Sequence, residues 1–172
     1  RPVLFGGKTD GSACRTVGAV AQMRHSPFHR VDRSTCKIKE YALSGTRFDY
    51  GVYNDLELSL LGTYQPFNAA TVLTAIELLR EQGLIISEKA VRAGLKNVRW
   101  QARFEVICKD PVVIFDGGHN PQGVDAAVKS IKHYFGDKKV MVFTGVLADK
   151  DYGVIAKRLS EIALGAFTIT PD

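Results

Sequence analysis

The stretch from Pro111 to Gly123, Pro-Val-Val-Ile-Phe-Asp-Gly-Gly-His-Asn-Pro-Gln-Gly, constrains this chain most. Pro111 to Phe115 are apolar and β-prone, and they run into Asp116, two glycines, His119, Asn120 and Pro121, after which a helical pattern begins. That order reads as a buried strand, a tight loop and a helix start. A strand this apolar predicts a sheet covered on both faces. In such sheets ligands bind at the carboxyl ends of strands, where Asp116 and His119 fall.

The rest of the C-terminal half extends the pattern. Val124, Ala127, Val128 and Ile131 line a helix from Pro121 to Phe135, with Pro121 acceptable in a first turn whose N–H groups lack helical partners. Val140 to Val146 reads as a second buried strand, Asp151 to Ala163 as a helix and Ala166 to Thr170 as a third strand. Strands alternating with helices predict right-handed crossovers and a mostly parallel sheet, an α/β fold. Arg103 to Cys108 precedes as a strand hairpinned at Lys109-Asp110 onto Pro111 to Asp116, which sets Arg103 roughly opposite Asp116.

Upstream the periods differ. Val3 to Phe5 is a short strand ending in Gly6-Gly7, and Ser12 to Arg24 a helix with Ala19, Val20 and Met23 on one face. Lys37 to Leu43, Thr46 to Gly51 and Asp55 to Leu61 alternate as an antiparallel meander. From Gln65 a helical spacing runs to a stop at Gln82-Gly83, and a second helix is capped by Ser87 and ends near Gly94. Asn97 to Arg99 has no pattern and marks a boundary between domains 1–98 and 99–172.

At 172 residues and 45% hydrophobic, the chain can bury a sizeable core in one domain or two small ones. The net charge of +5 is spread over single and paired lysines and arginines, with no basic run and no aromatic platform. That pattern disfavours nucleic acid and suits anionic small molecules. Three cysteines without metal spacing fit a reducing, cytoplasmic setting, and no segment is apolar enough to cross a bilayer. Both ends read as strands that have been cut.

Gly7-Lys8-Thr9 imitates the end of a phosphate-binding loop, but the glycine that pattern requires is Pro2, so a polar turn is the better reading. The helix start after Asn120 offers free N–H groups to a phosphate or carboxylate. Asp116 could accept from a ribose or orient a basic partner, and His119 could meet a phosphate or developing anion; the alternative is a loop in which Asn120 caps the helix and Asp116 closes a turn, although a cap needs neither Asp116 nor His119. Arg103 suits a phosphate by its fork, or forms a salt bridge with Asp116. Asn68 either caps its helix or offers its amide to a ligand ring. Asp149-Lys150-Asp151 is either a cap with a solvated lysine or a second wall of the same site.

Four stretches carry a resemblance: Leu61-Gly62-Thr63-Tyr64-Gln65-Pro66-Phe67-Asn68-Ala69-Ala70, Trp100-Gln101-Ala102-Arg103-Phe104-Glu105, Asp116-Gly117-Gly118-His119-Asn120-Pro121, and Gly145 to Asp151. In this order and spacing the chain resembles folylpolyglutamate synthases, including the bifunctional dihydrofolate synthases of bacteria, within the Mur ligase superfamily. The resemblance implies the end of a central ATPase domain over 1–98. Over 99–172 it implies an incomplete Rossmann-like ligase domain with a mostly parallel sheet. It implies an ATP- and Mg2+-dependent ligase that turns a folate or dihydropteroate carboxylate into an acyl phosphate, which L-glutamate then attacks.

Carried over, Asn68 contacts the adenine, Arg103 the phosphates and Asp116 the nucleotide at its ribose. His119 lies near the acyl phosphate and incoming glutamate, Asp116 and His119 are the catalytic pair, and Asp149 and Lys150 help hold substrate. Such sites form between two domains, so Asn68 is expected on one side and Arg103, Asp116 and His119 on the other. The partners implied are small molecules alone, on a monomer, with no nucleic acid and no membrane.

Ala102 and Gly118 depart from the family's usual Gly and Ala, both small. The glycine-rich loop and the magnesium ligands are expected upstream of this chain, which is therefore expected to be inactive alone. The alternatives are another superfamily ligase, acting in cell-wall synthesis, and a noncatalytic nucleotide-binding module.

Overall fold

The computed structural model describes residues 1–7, 10–147 and 149–169. Lys8 and Thr9 of the phosphate-loop imitation, and Thr170 of the expected last strand, lie outside the described residues. The chain divides into two compact units, Arg1–Glu40 with Thr46–Ser59 and Gln65–Val98, and Tyr41–Gly45 with Leu60–Tyr64 and Arg99–Asp172.

In the first unit, β1 (Val3–Phe5) pairs in parallel with β2 (Phe28–Arg30), placing Val3 beside Phe28 and Phe5 beside Arg30. Phe-His-Arg has neither length nor alternation, so β2 is not visible in the sequence. The buried face of α1 (Ser12–Met23), set by β2, is therefore not the expected one. Cys14 and Ala21 are buried, with Val17 and Gly18 between them half-buried, while Ala19, Val20 and Met23 face solvent. The small face is needed because α1 rests on β2: a Cβ at Gly18 would come 3.2 Å from the Phe28 ring.

β3 (Lys37–Ala42), β4 (Gly45–Tyr50) and β5 (Tyr53–Leu58) form the expected meander in the order β3-β4-β5, with β4 antiparallel to β5. Phe48 stands opposite Leu56, and both are fully buried, which is what period-two alternation on a one-sided sheet gives. α2 (Gln65–Glu81) buries Ala69, Ala70 and Leu73 and stops where Gly83 takes a φ of +92°. The Ser87 hydroxyl accepts from Ala90 N–H at 3.1 Å and starts α3 (Glu88–Asn97). α3 runs past the expected stop at Gly94, because Leu95 is buried and its carbonyl accepts from Ser59 N–H at 3.2 Å.

In the second unit, β6 (Glu105–Lys109) and β7 (Val112–Phe115) are an antiparallel ribbon. α4 (Pro121–Phe135), β8 (Val140–Thr144), α5 (Tyr152–Ser160) and β9 (Ala163–Thr168) follow, with β8 and β9 parallel. The fold is mixed α/β, but β7 hydrogen-bonds to β6 and not to the β8-β9 pair.

The expectation of strands covered on both faces is corrected here. Val112, Val113 and Phe115 are exposed on β7, and on β8 only Val142 is buried while Met141 and Phe143 face solvent. The core is built on one side, from Val124 and Val128 of α4 and Ile155 of α5 with Ile162, packed by Ile131, Val140, Val146 and Leu159. β9 begins three residues before the expected Ala166, and α5 is shorter at both ends than Asp151 to Ala163. Among the described residues no helix is long and apolar enough to cross a membrane, and Cys14, Cys36 and Cys108 are unpaired thiols.

Candidate functional site

The site in the second unit is built on the turn that leads into β6. Phe104 is fully buried and stacks on Tyr134 with ring centroids 5.6 Å apart. To reach that position the backbone takes left-handed φ values at Ala102 (54°) and Phe104 (51°), uncommon for residues with a side chain and marking a constrained turn. Arg103, between them, is thereby turned outward. It does not open β6 as expected: the register pairs Glu105 with Phe115, so the residue opposite Asp116 is Phe104.

Asp116 uses both carboxylate oxygens on backbone. Oδ2 accepts from Phe104 N–H at 2.8 Å, and Oδ1 accepts from Gly118 N–H at 2.7 Å. Tyr64 adds a long contact from its hydroxyl to Oδ2 at 3.5 Å, and Gly117 N–H donates to Ala102 C=O at 2.8 Å. Among the described residues no ion pair joins Asp116 to Arg103. The guanidinium instead donates from Nη1 to Ala102 C=O at 3.3 Å and lies 5.9 Å from the centre of the Trp100 ring. A Cβ at Gly117 would come within 3.1 Å of Nη1, so the absence of a side chain there lets Arg103 lie against the loop. Held at one nitrogen and one face, the fork keeps most of its donors for an anion.

Asn120 takes the capping alternative: its Oδ1 accepts from Gly123 N–H at 2.8 Å and starts α4. Gly118 and Gly123 meet here, with a Cβ at Gly123 only 3.3 Å from Gly118 Cα. His119 is exposed, and its Nδ1 is 3.1 Å from Gly117 C=O, leaving Nε2 toward solvent. Lys150 Nζ, 2.7 Å from Asp149 Oδ2, holds the Asp149 carboxyl below its ordinary range through their hydrogen bond. Lys150 is therefore paired with its neighbour rather than simply solvated, and the cap of α5 is Asp151, whose Oδ1 accepts from Val154 N–H at 3.2 Å.

Arg103, Asp116, His119, Asp149 and Lys150 all belong to the second unit, on three chain segments. Asn68 belongs to the first unit. It stands inside the first turn of α2, not at its cap, and its Nδ2 donates to Gln65 Oε1 at 3.0 Å. A cavity of about 640 Å³ opens at the carboxyl ends of β1 and β2, lined by Gly7 of the phosphate-loop imitation with Asp10, Arg30, Val31, Asp32, Arg33 and Ser34. Its two arginines are balanced by two aspartates.

Among the described residues no three His, Cys, Asp or Glu side chains stand together as metal ligands. Magnesium takes oxygen donors, often one or two carboxylates together with phosphate oxygens, and the Asp116 carboxylate is already held by two backbone N–H groups.

Residues 102–172 match the model of the Mur ligase glutamate ligase domain. They belong to that family. The wider chain is 32% identical over 161 residues to a Bacillus subtilis dihydrofolate synthase/folylpolyglutamate synthase, which covers 90% of this chain and 37% of that protein. It superposes with a TM-score of 0.82, at 27% identity, on Mycobacterium tuberculosis folylpolyglutamate synthase complexed with ADP, over 96% of this chain and 37% of that one. A folylpolyglutamate synthase complex with AMPPCP and folate gives 0.83 at 30% identity, over 99% of this chain and 43% of that one. The chain therefore spans under half the length of these relatives.

Two residues of the site were not legible in advance. Phe104 sits in the quoted motif, but a single aromatic in a turn carries no periodic signal. Tyr134, its partner, lies 30 positions away on α4, and only the fold brings them together.

Proposed function

We propose that this chain carries the glutamate-adding part of a folylpolyglutamate synthase that also serves as a dihydrofolate synthase. In this reading residues 1–98 are the end of a central ATPase domain and residues 99–172 a Rossmann-like ligase domain. The reading is supported most by one observation: Asp116 ties the turn that carries Arg103 to the loop that carries His119, and Gly117 is the glycine that lets the guanidinium approach.

The reaction asks for positioning and charge neutralisation more than for a strong base. The γ-phosphoryl of ATP passes to the substrate carboxylate, giving an acyl phosphate and ADP. The amino group of glutamate then attacks the acyl carbon, and phosphate leaves as the amide forms. Arg103 binds the nucleotide phosphates through its free donors. His119 offers its outward nitrogen to the oxygens of the acyl phosphate as glutamate arrives. Asp116 holds the loop that carries both, and any contact with the ribose uses lone pairs left beyond its two backbone bonds. Lys150 offers a cation to a glutamate carboxylate while Asp149 keeps it in place. Asn68 takes the adenine.

Magnesium, when bound, neutralises phosphate charge through ligands other than these residues. The enzyme acts on small molecules as a cytoplasmic monomer, and the 172 residues alone bind nucleotide without turnover.

The test is an exchange of this segment for its counterpart in the Bacillus subtilis relative. The chimera should incorporate labelled glutamate into dihydropteroate or a reduced folate when ATP is present, and not into a muramoyl peptide. A folded chimera that extends only the muramoyl peptide would replace the folate reading by the cell-wall one.

A further inference from the structure

The middle of α4 carries a buried hydroxyl whose bonds lead back to the site. Ser130 is fully buried. Its one proton goes to Ala126 C=O at 2.8 Å, so its two lone pairs receive the Thr63 N–H at 3.0 Å and the Thr63 hydroxyl at 3.2 Å. Two further hydroxyls grip the same short segment: Tyr134 accepts from Gly62 N–H at 3.3 Å, and Tyr41 donates to Thr63 C=O at 3.0 Å. Gly62 takes a φ of +102°, and a Cβ there would come 2.8 Å from the Tyr64 ring, so the ring lies against a bare Cα. All of these residues belong to the second unit.

A plain connection needs its buried backbone groups bonded, but it does not need a left-handed glycine on which a later ring can rest. What the arrangement delivers is the Tyr64 hydroxyl, 3.5 Å from Asp116 Oδ2, the oxygen that also takes Phe104 N–H. We propose that Ser130 is a positioning residue: through Thr63 it seats Tyr64 against Asp116, and so steadies the turn that presents Arg103 and the loop that presents His119. That those two residues meet ligand rests on the function proposed above. The Tyr64 contact is long, so its hold on Asp116 depends on how firmly Tyr64 is seated, and the bonds on Gly62 and Thr63 supply that. A clamp that served its own segment alone would protect Gly62 and Thr63 and leave the partners of Asp116 unaffected.

The experiment follows amide hydrogen exchange in the 172-residue chain by NMR. Ile155 N–H, bonded to Asp151 C=O at the start of α5, is the reference for opening of the whole unit. Ser130→Ala should speed exchange at Thr63 and, relative to Ile155, at Phe104 and Gly118, the two amides bonded to Asp116, by about five- to tenfold, the scale of one hydrogen bond. Tyr64→Phe, which keeps the ring, should speed Phe104 and Gly118 alike and leave Thr63 as it is. Adding Ser130→Ala to Tyr64→Phe should change those two amides no further. Affinity for ADP, measured by calorimetry, should fall in both single variants. If Ser130→Ala does not fold, Thr63→Val, which removes the hydroxyl bonded to Ser130, takes its place.

A folded Ser130→Ala chain in which Phe104 and Gly118 exchange as in wild type overturns the proposal, whatever happens at Thr63. So does a double variant in which the two effects add. Arg103→Ala separates the proposal from its premise: if that variant binds ADP as tightly as wild type, the reading of Arg103 is wrong, and the exchange rates still decide the role of Ser130.

Discussion

Asp116 Oδ2 accepts the backbone N–H of Phe104 at 2.8 Å, and through that bond a carboxylate at the end of β7 fixes the turn that presents Arg103. The second oxygen, on Gly118 N–H, fixes the loop that presents His119. One side chain thus sets the position of two others on different segments.

Asp116→Ala should therefore lose stability as well as function. Two backbone donors lose an ionised acceptor, so the unfolding free energy of the chain should drop by about 2–3 kcal/mol. Urea denaturation measures this, and an unchanged midpoint would mean that neither bond contributes.

His119→Ala should behave in the opposite way. The imidazole is exposed and contacts only its own loop, so the midpoint should move by no more than about 0.5 kcal/mol. Glutamate incorporation by the Bacillus chimera should fall by about tenfold or more, as expected for a lost bond to a charged group. Equal losses of stability and turnover would make His119 a structural residue.

Phe104→Ala should be the most destabilising change near the site. The ring is fully buried against Tyr134, and truncating such a phenylalanine typically costs about 3–5 kcal/mol. Calorimetric unfolding of the chain should show a lowered midpoint, and a loss under 1 kcal/mol, roughly, would contradict the packing described.

Acid should weaken the second unit through its ion-pair network. Asp125 is bonded to Lys129 and Arg158, and Glu161 to Lys132 and Arg158, and these cations lower both carboxyl pKa values. A carboxylate whose folded pKa is depressed contributes stability above its unfolded pKa and loses it as pH falls through the folded one. The loss should begin as pH drops into the ordinary carboxylate range, from about pH 5 downward. The pairs are solvent-facing, so salt should shrink the effect. Thermal unfolding from pH 6 to 3 checks this, and Arg158→Met should flatten the slope. A midpoint that rose toward low pH would reverse the sign of the argument.

Gly118→Ala tests the resemblance on one of its departures. A Cβ there would sit 2.7 Å from Asp116 Oδ1, so the carboxylate must shift and its bond to Gly118 N–H must weaken. The substitution restores the residue usual in the family yet should lower the midpoint in this chain, by about 1 kcal/mol. A stabilised variant would show that the loop accommodates alanine freely.

What the sequence disclosed follows from the range of each signal. The helix from Pro121 to Phe135, its Asn120 cap and the Ser87 cap were legible because caps and helical spacing are local. The meander of β3 to β5 was legible because alternation and turns are local too. β2 was not, since three residues without alternation become a strand only beside β1. The apolarity of β7 and β8 misled, because it reports affinity for a core and not whether one covers both faces.

At the site, residue types and order pointed to Arg103, Asp116 and His119, while their geometry depended on left-handed turns at Ala102 and Phe104 that no pattern announces. Arg103 and Asp116 were expected to face each other across a hairpin. They are neighbours through Gly117 and Phe104 instead.

The central claim is that Arg103, held open against Gly117, binds the phosphates of ATP in a folate–glutamate ligation. The most direct measurement is ATP-dependent incorporation of labelled glutamate into a folate by the Bacillus chimera with Arg103 intact and with Arg103→Ala, alongside the unfolding midpoint of each. The account predicts that the alanine variant keeps its midpoint and loses about tenfold or more in turnover, the loss concentrated in the dependence on ATP concentration. Wild-type turnover and ATP dependence in Arg103→Ala would contradict it.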